Sequence, residues 1–136
     1  LDAVRNHFET ILTSQQFQKL HFQITGVRSF EQVFQDVKHE TGVQAILNCM
    51  PYHTNEDAAA AAIKTGIHYT DLGGHLTTTF SIREKLHDLA VAAGVTLMTD
   101  LGLAPGLNNI LALDGLSRLD IFEEVLMYCG GLPQVP

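Results

Sequence analysis

Short apolar runs alternate with amphipathic helical stretches along almost the whole chain, and no other feature restricts its fold as much. Leu20 to Thr25 alternates apolar and polar residues and reads as a strand. Val43 to Cys49 is a short apolar run, the pattern of a strand buried on both faces. Ile67 to Leu72, Val95 to Asp100 and Phe122 to Cys129 read as further strands. The segments between them read as helices. Ser29 caps one that turns Phe30, Val33, Phe34 and Val37 inward and stops near Gly42; Ser29 and Gln32 have capping-box spacing. Asn55 to Thr65 is alanine-rich, suited to close packing on a sheet, and Gly66 ends it. Phe80 to Ala93 places Ile82, Leu86, Leu89 and Ala90 inward, with Gly94 as its cap, and Pro105 to Leu116 follows. Ahead of them all, Leu1 to Ser14 carries Val4, Phe8, Ile11 and Leu12 on one helical face. Strands and helices joined in this order by short connections predict βαβ crossovers and a parallel sheet, an α/β fold.

Composition narrows the class. The 136 residues suffice for one core. With 46% hydrophobic and 17% charged residues, the chain is neither disordered nor coiled-coil-like. A net charge of −7 with scattered Lys and Arg argues against a nucleic-acid partner. No apolar run approaches the length of a membrane span, and Asp2, Arg5 and Glu9 interrupt any signal-peptide core. A cytoplasmic location with no membrane partner is expected. Cys49 and Cys129 form no CxxC motif and read as reduced thiols. The histidines show no metal-ligand spacing, so no metal site is expected.

In a parallel sheet, ligands bind at the carboxyl ends of the strands. Three turns there carry the chemistry. After Val95 to Met98 come Gly102, Pro105 and Gly106, with Pro105 in the first turn of a helix. The glycines permit close backbone approach to a ligand, and the helix start offers free N–H groups and a positive dipole end. An ordinary strand-to-helix turn uses the same residues. At the second turn, Asp71 either caps the turn through a backbone N–H or contacts a ligand. Gly73 and Gly74 follow it, with His75 adjacent. At the third, Asn48-Cys49-Met50-Pro51 leaves its strand. Cys49 reads as a small core residue or a nucleophile, and the Tyr52 phenol can donate a hydrogen bond.

Four segments recur in a recognisable order: Ala45 to Tyr52 (AILNCMPY), Gly66 to Gly74 (GIHYTDLGG), Gly102 to Leu107 (GLAPGL) and Tyr128 to Pro133 (YCGGLP). Together they resemble the saccharopine dehydrogenase-like family, which includes saccharopine reductases, lysine 6-dehydrogenases and carboxynorspermidine dehydrogenases. The resemblance implies a Rossmann-like, doubly wound parallel sheet and NAD or NADP as cofactor. No GxGxxG occurs. In the strand order 3-2-1-4-5-6, the strand at Leu20 corresponds to strand 3 and that at Val43 to strand 4. The sheet is therefore expected to be incomplete, its first βαβ unit and glycine loop missing. On this reading the chain is an internal fragment. Residues 1–127 are the C-terminal part of a dinucleotide-binding domain, and 128–136 begin the connection to an absent substrate domain. A self-contained five-stranded domain would instead pair the strands at Leu20 and Val43 directly.

The resemblance also implies amine chemistry: hydride transfer between the nicotinamide and the amine-bearing carbon of an amino acid or polyamine precursor, through an imine. Cofactor contacts are implied at Asn48, Cys49, Met50 and Pro51, then at Gly73 and Gly74, which leave room for a flat ring. Gly102, Leu103, Ala104, Pro105 and Gly106 complete them. Tyr52 and Asp71 are the candidate catalytic residues. Arginines gripping the substrate carboxylates are expected from the second domain, and the full-length enzyme is expected to be a homodimer. A non-catalytic α/β binding or regulatory module is the other reading, favoured by the missing glycine loop.

Overall fold

The computed structural model describes residues 2–20 and 29–130. Helix α1 (Asp2–Ile11) is followed by the single turn α2 (Ser14–Phe17), whose Thr13 and Gln16 form a capping box. Next come α3 (Phe30–Thr41), β1 (Ala45–Asn48), a 3-10 turn (Tyr52–Thr54) and α4 (Asn55–Thr65). They are followed by β2 (His68–Asp71), α5 (Leu76–Ala93), β3 (Leu97–Met98) and α6 (Leu107–Leu116). The strands form one parallel sheet of order β1-β2-β3, with Ala45 opposite His68 and Tyr69 opposite Leu97. Each strand lies beside its predecessor, so α4 and α5 are the crossovers of two consecutive βαβ units. This is the α/β fold expected, an incomplete Rossmann-like sheet. The strand expected at Leu20 to Thr25 lies, apart from Leu20, outside the described residues, as does any direct pairing of it with β1.

Helix α4 is the centre of the packing. Ala58, Ala59 and Ala62 are fully buried, and with Ala61 they let the helix lie close to Ile67 and Tyr69. Phe34 of α3 and Ile82 and Leu86 of α5 close the core on either side. Helix ends follow the sequence: Ser29 and Gln32 exchange hydrogen bonds at α3, and α3, α4 and α5 stop at Gly42, Gly66 and Gly94. Lys38 of α3 donates through its Nζ to the carbonyls of Thr65 (2.6 Å) and Gly66 (3.1 Å), which tethers α3 to the carboxyl end of α4. No helix among the described residues is long and apolar enough to cross a membrane.

Several expectations are corrected. The Val43–Cys49 strand is covered on one face only: Ile46 and Asn48 turn toward the helices, while Ala45 and Leu47 are exposed, as is Met98 on β3. Residues 122–129 form no strand. A strand needs a neighbour's ladder, and Val125 to Tyr128 instead border a shallow groove with Asn108, Leu111 and Ala112 of α6. The third strand is shorter than Val95–Asp100. The Val95 N–H is spent on the Ala90 carbonyl at the end of α5, and Asp100 has φ +65°, which breaks the extended run. Helix α5 begins four residues before Phe80, because the His75 ring accepts the Thr77 N–H. In α1, Val4 and Ile11 of the expected inward face are exposed.

Candidate functional site

The loops after β1, β2 and β3 meet at the carboxyl edge of the sheet. Beneath the first lies a buried amide network. Asn48 ends β1, and its Nδ2 donates to Asn55 Oδ1 (2.9 Å) and Tyr69 Oη (3.3 Å). Its Oδ1 accepts the Met50 N–H (3.2 Å), and Tyr69 Oη donates to the Asn55 carbonyl (3.3 Å). Burial holds the Tyr69 phenol well above its usual range; the Asn48 hydrogen bond opposes this, and the nearby Asp71 charge adds to it. Asn48 thus shapes the turn from inside. Cys49, Met50, Pro51 and Tyr52 ride over it and are exposed; Cys49 is a free surface thiol, so its core reading is corrected.

The second and third loops are sewn together by Asp71. One of its oxygens accepts the N–H of Gly73 (2.8 Å) and of Asp100 (3.0 Å), and its backbone carbonyl accepts the Leu101 N–H (2.9 Å). Turn capping is the role seen. The other oxygen, Oδ2, is buried without a partner, and the residue is only 1% exposed, so Asp71 lies under the loops rather than at their surface. Asp100 in turn accepts the Thr79 hydroxyl (3.1 Å). Asp100 and Thr79 went unnoticed in the sequence. The only hint was an Asp ahead of a glycine turn, a residue type that tolerates positive φ.

The glycines of these loops face the protein itself. A Cβ on Gly73 would run into the Asp100 carboxylate and Pro105, one on Gly74 into the Tyr52 ring, and one on Gly102 into the Leu72 carbonyl. One on Gly106 would strike the Gly102 backbone. The room expected for a flat ring at Gly73 and Gly74 is thus filled by the protein's own atoms. The start of α6 is likewise not free. Gly106 N–H donates to the Asn109 side chain (3.3 Å), Leu107 N–H to the Gly102 carbonyl (2.8 Å) and Asn108 N–H to the Leu103 carbonyl (3.0 Å). Pro105 precedes the helix instead of opening it, and the Ala104–Pro105 bond is cis.

What these loops turn outward is an apolar ledge: Met50, Tyr52, Leu72, Leu101 and Leu103 are all exposed. His75 stacks on Tyr52 (ring centroids 5.9 Å apart, planes at 25°), which joins the first loop to the second. Its Nδ1 lies 2.7 Å from the Thr77 hydroxyl. Among the described residues no group of three or more His, Cys, Asp or Glu side chains could hold a metal ion.

A parallel sheet whose closely packed loops gather at its carboxyl edge is the arrangement of nucleotide-binding α/β domains. Residues 2–98 match the saccharopine dehydrogenase NADP-binding domain, and the chain belongs to that family. It is 28% identical over 124 positions to an alpha-aminoadipic semialdehyde synthase of Arabidopsis thaliana, covering 81% of this chain and 11% of that protein. To the saccharopine dehydrogenase [NADP(+), L-glutamate-forming] of Schizosaccharomyces pombe it is 26% identical over 124 positions, covering 81% and 26%. The corresponding Saccharomyces cerevisiae enzyme is 29% identical over 92 positions, covering 65% and 20%. The chain thus spans about a quarter or less of the relatives it matches. No solved structure matches it significantly.

The family makes NAD or NADP the cofactor of this fold, and the described residues fit part of such a molecule. The apolar ledge suits the flat faces of a nicotinamide ring. The tightly packed backbone from Gly73 to Gly106 gives that ledge a rigid floor. The glycine loop that holds a pyrophosphate is not among them; the glycine turn before α6 has its N–H groups engaged internally.

Proposed function

We propose that this chain is the cofactor-side part of an NAD(P)-dependent oxidoreductase of lysine metabolism. It would act on the C–N bond of a saccharopine-type amino acid through an imine. The observation that carries the reading is the ledge at the carboxyl edge of a sheet whose sequence matches an NADP-binding domain. The relatives' names, saccharopine dehydrogenase and alpha-aminoadipic semialdehyde synthase, support the substrate class. The bound dinucleotide supplies the hydride acceptor or donor. The chain's own part is to present Met50, Pro51, Tyr52, Leu72 and Leu101 to Leu103 as a dry surface beside the reacting carbon. The Tyr52 phenol is an exposed group able to donate a hydrogen bond there. Gly73, Gly74, Gly102 and Gly106 serve by holding the loops in contact.

The test is made on the full-length protein. NADPH and NADH are titrated by calorimetry, and saccharopine is offered with NADP+ and NAD+ while reduced cofactor is followed by absorbance. Cofactor binding with saccharopine-dependent reduction is the expected result. Dinucleotide binding without turnover of saccharopine would overturn the substrate reading alone, and no dinucleotide binding would overturn the oxidoreductase reading and favour the binding or regulatory module that lacks the nucleotide loop.

A further inference from the structure

Asp71 is the one buried carboxylate at the carboxyl edge among the described residues, and its bonding is lopsided. Oδ1 holds two backbone N–H groups from different loops, while Oδ2 holds none. The first N–H belongs to Gly73, two residues on, an ordinary local turn. The second belongs to Asp100, 29 residues on, and it joins loops that the chain itself does not connect nearby. The contact is reinforced on both sides. The Asp71 carbonyl takes the Leu101 N–H, and the Asp100 carboxylate sits where a Gly73 side chain would be and takes the Thr79 hydroxyl of α5. Asp100 also keeps a positive φ, a conformation that costs energy for a non-glycine residue and persists only when its surroundings hold it.

We infer that Asp71 is a positioning residue: its Oδ1 locks the β2–α5 loop and the β3–α6 loop into one arrangement, and so sets the level of Leu72 against Leu101 and Leu103 on the cofactor ledge. This rests on the cofactor reading above. A carboxylate that only capped its own turn would need Gly73 alone. The lock needs an acceptor at Oδ1, not a charge at Oδ2, so Asp71→Asn keeps it and Asp71→Ala removes it.

The experiment compares wild type, Asp71→Asn and Asp71→Ala in the full-length protein, reading amide hydrogen exchange at Gly73 and Asp100 and the Kd for NADPH. In Asp71→Ala, protection at both amides is expected to vanish and Kd to rise about tenfold or more, as loosened positioning does elsewhere. Asp71→Asn is expected to restore both. Protection of the core amide of Tyr69, which donates to the Thr96 carbonyl, should stay at its wild-type level, which separates a displaced ledge from general unfolding. Unchanged exchange at Asp100 in Asp71→Ala overturns the proposal, and so does a wild-type Kd per folded molecule. Failure of the wild-type protein to bind NADPH is a different result: it overturns the functional reading first.

Discussion

The Cβ and ring of Tyr52 occupy the space that a side chain on Gly74 would need. Gly74 has φ +154°, so any substitution there is strained as well as crowded. Gly74→Ala should lower stability by about 1–3 kcal/mol. Tyr52→Gly removes the crowding, its Cβ included, but not the strain. In the double variant the two costs should therefore fall short of their sum by about 0.5 kcal/mol or more. Denaturant titrations of the four proteins decide it, and strict additivity would show that the two residues do not meet.

Two glycines of the last helical unit make opposite predictions. Gly106→Ala drives a methyl into the Gly102 backbone at φ +128° and should sharply lower the melting temperature. Gly115 lies within α6 with nothing near its would-be Cβ. Gly115→Ala should stabilise by up to about 1 kcal/mol, the propensity difference in a helix interior. Equal effects of the two changes would contradict the loop geometry.

Asn48→Leu leaves the buried Asn55 Oδ1 and the Met50 N–H without their partners. An orphaned buried acceptor such as Asn55 Oδ1 costs about 1–3 kcal/mol, so a loss of that size is expected. The exposed neighbour Cys49 provides the control: Cys49→Ser should change stability by less than about 0.5 kcal/mol. Chemical denaturation of both variants is the measurement.

Glu56, in the first turn of α4, receives Lys85 Nζ (2.7 Å) and the Ser81 hydroxyl (2.7 Å) of α5. These hydrogen bonds, Lys85 first, hold its pKa below the ordinary 4.5. A depressed carboxylate stabilises the fold above its unfolded pKa, and the contribution drains away as pH falls through the folded value. Because the pair is solvent-screened, the effect should be small. Melting temperatures from pH 7 down to about 3 should fall less steeply in Glu56→Gln than in wild type. Parallel curves would remove Glu56 from the acid response.

Local signals were legible in the sequence and relational ones were not. The bounds of α4, the Ser29–Gln32 box and the stops at Gly42, Gly66 and Gly94 depend on a few neighbouring residues. Residues 122–129 have strand-like composition but depend on a distant ladder, so composition alone misled. The glycines marked where backbones crowd together, without telling whether a ligand or another loop does the crowding. Asp71 likewise announced a turn, yet its bond to Asp100 spans 29 residues, and the stacking of His75 on Tyr52 spans 23. Neither leaves a periodic trace. The quoted motifs contain Asp71 and Tyr52 but stop short of Asp100 and His75.

The alanine face of α4 acts as a spacer of fixed thickness. A methyl group is the largest thing that Ala58, Ala59 and Ala62 put between helix and sheet, and the 3-10 turn Tyr52–Thr54 runs straight into that helix. The height at which Tyr52 stands above the strand ends is therefore fixed from below, by fully buried core residues. Two added methyls at Ala59, as in Ala59→Val, would lift the near end of α4 and tilt the Tyr52–His75 stack. The tolerances of the candidate site are set in the core.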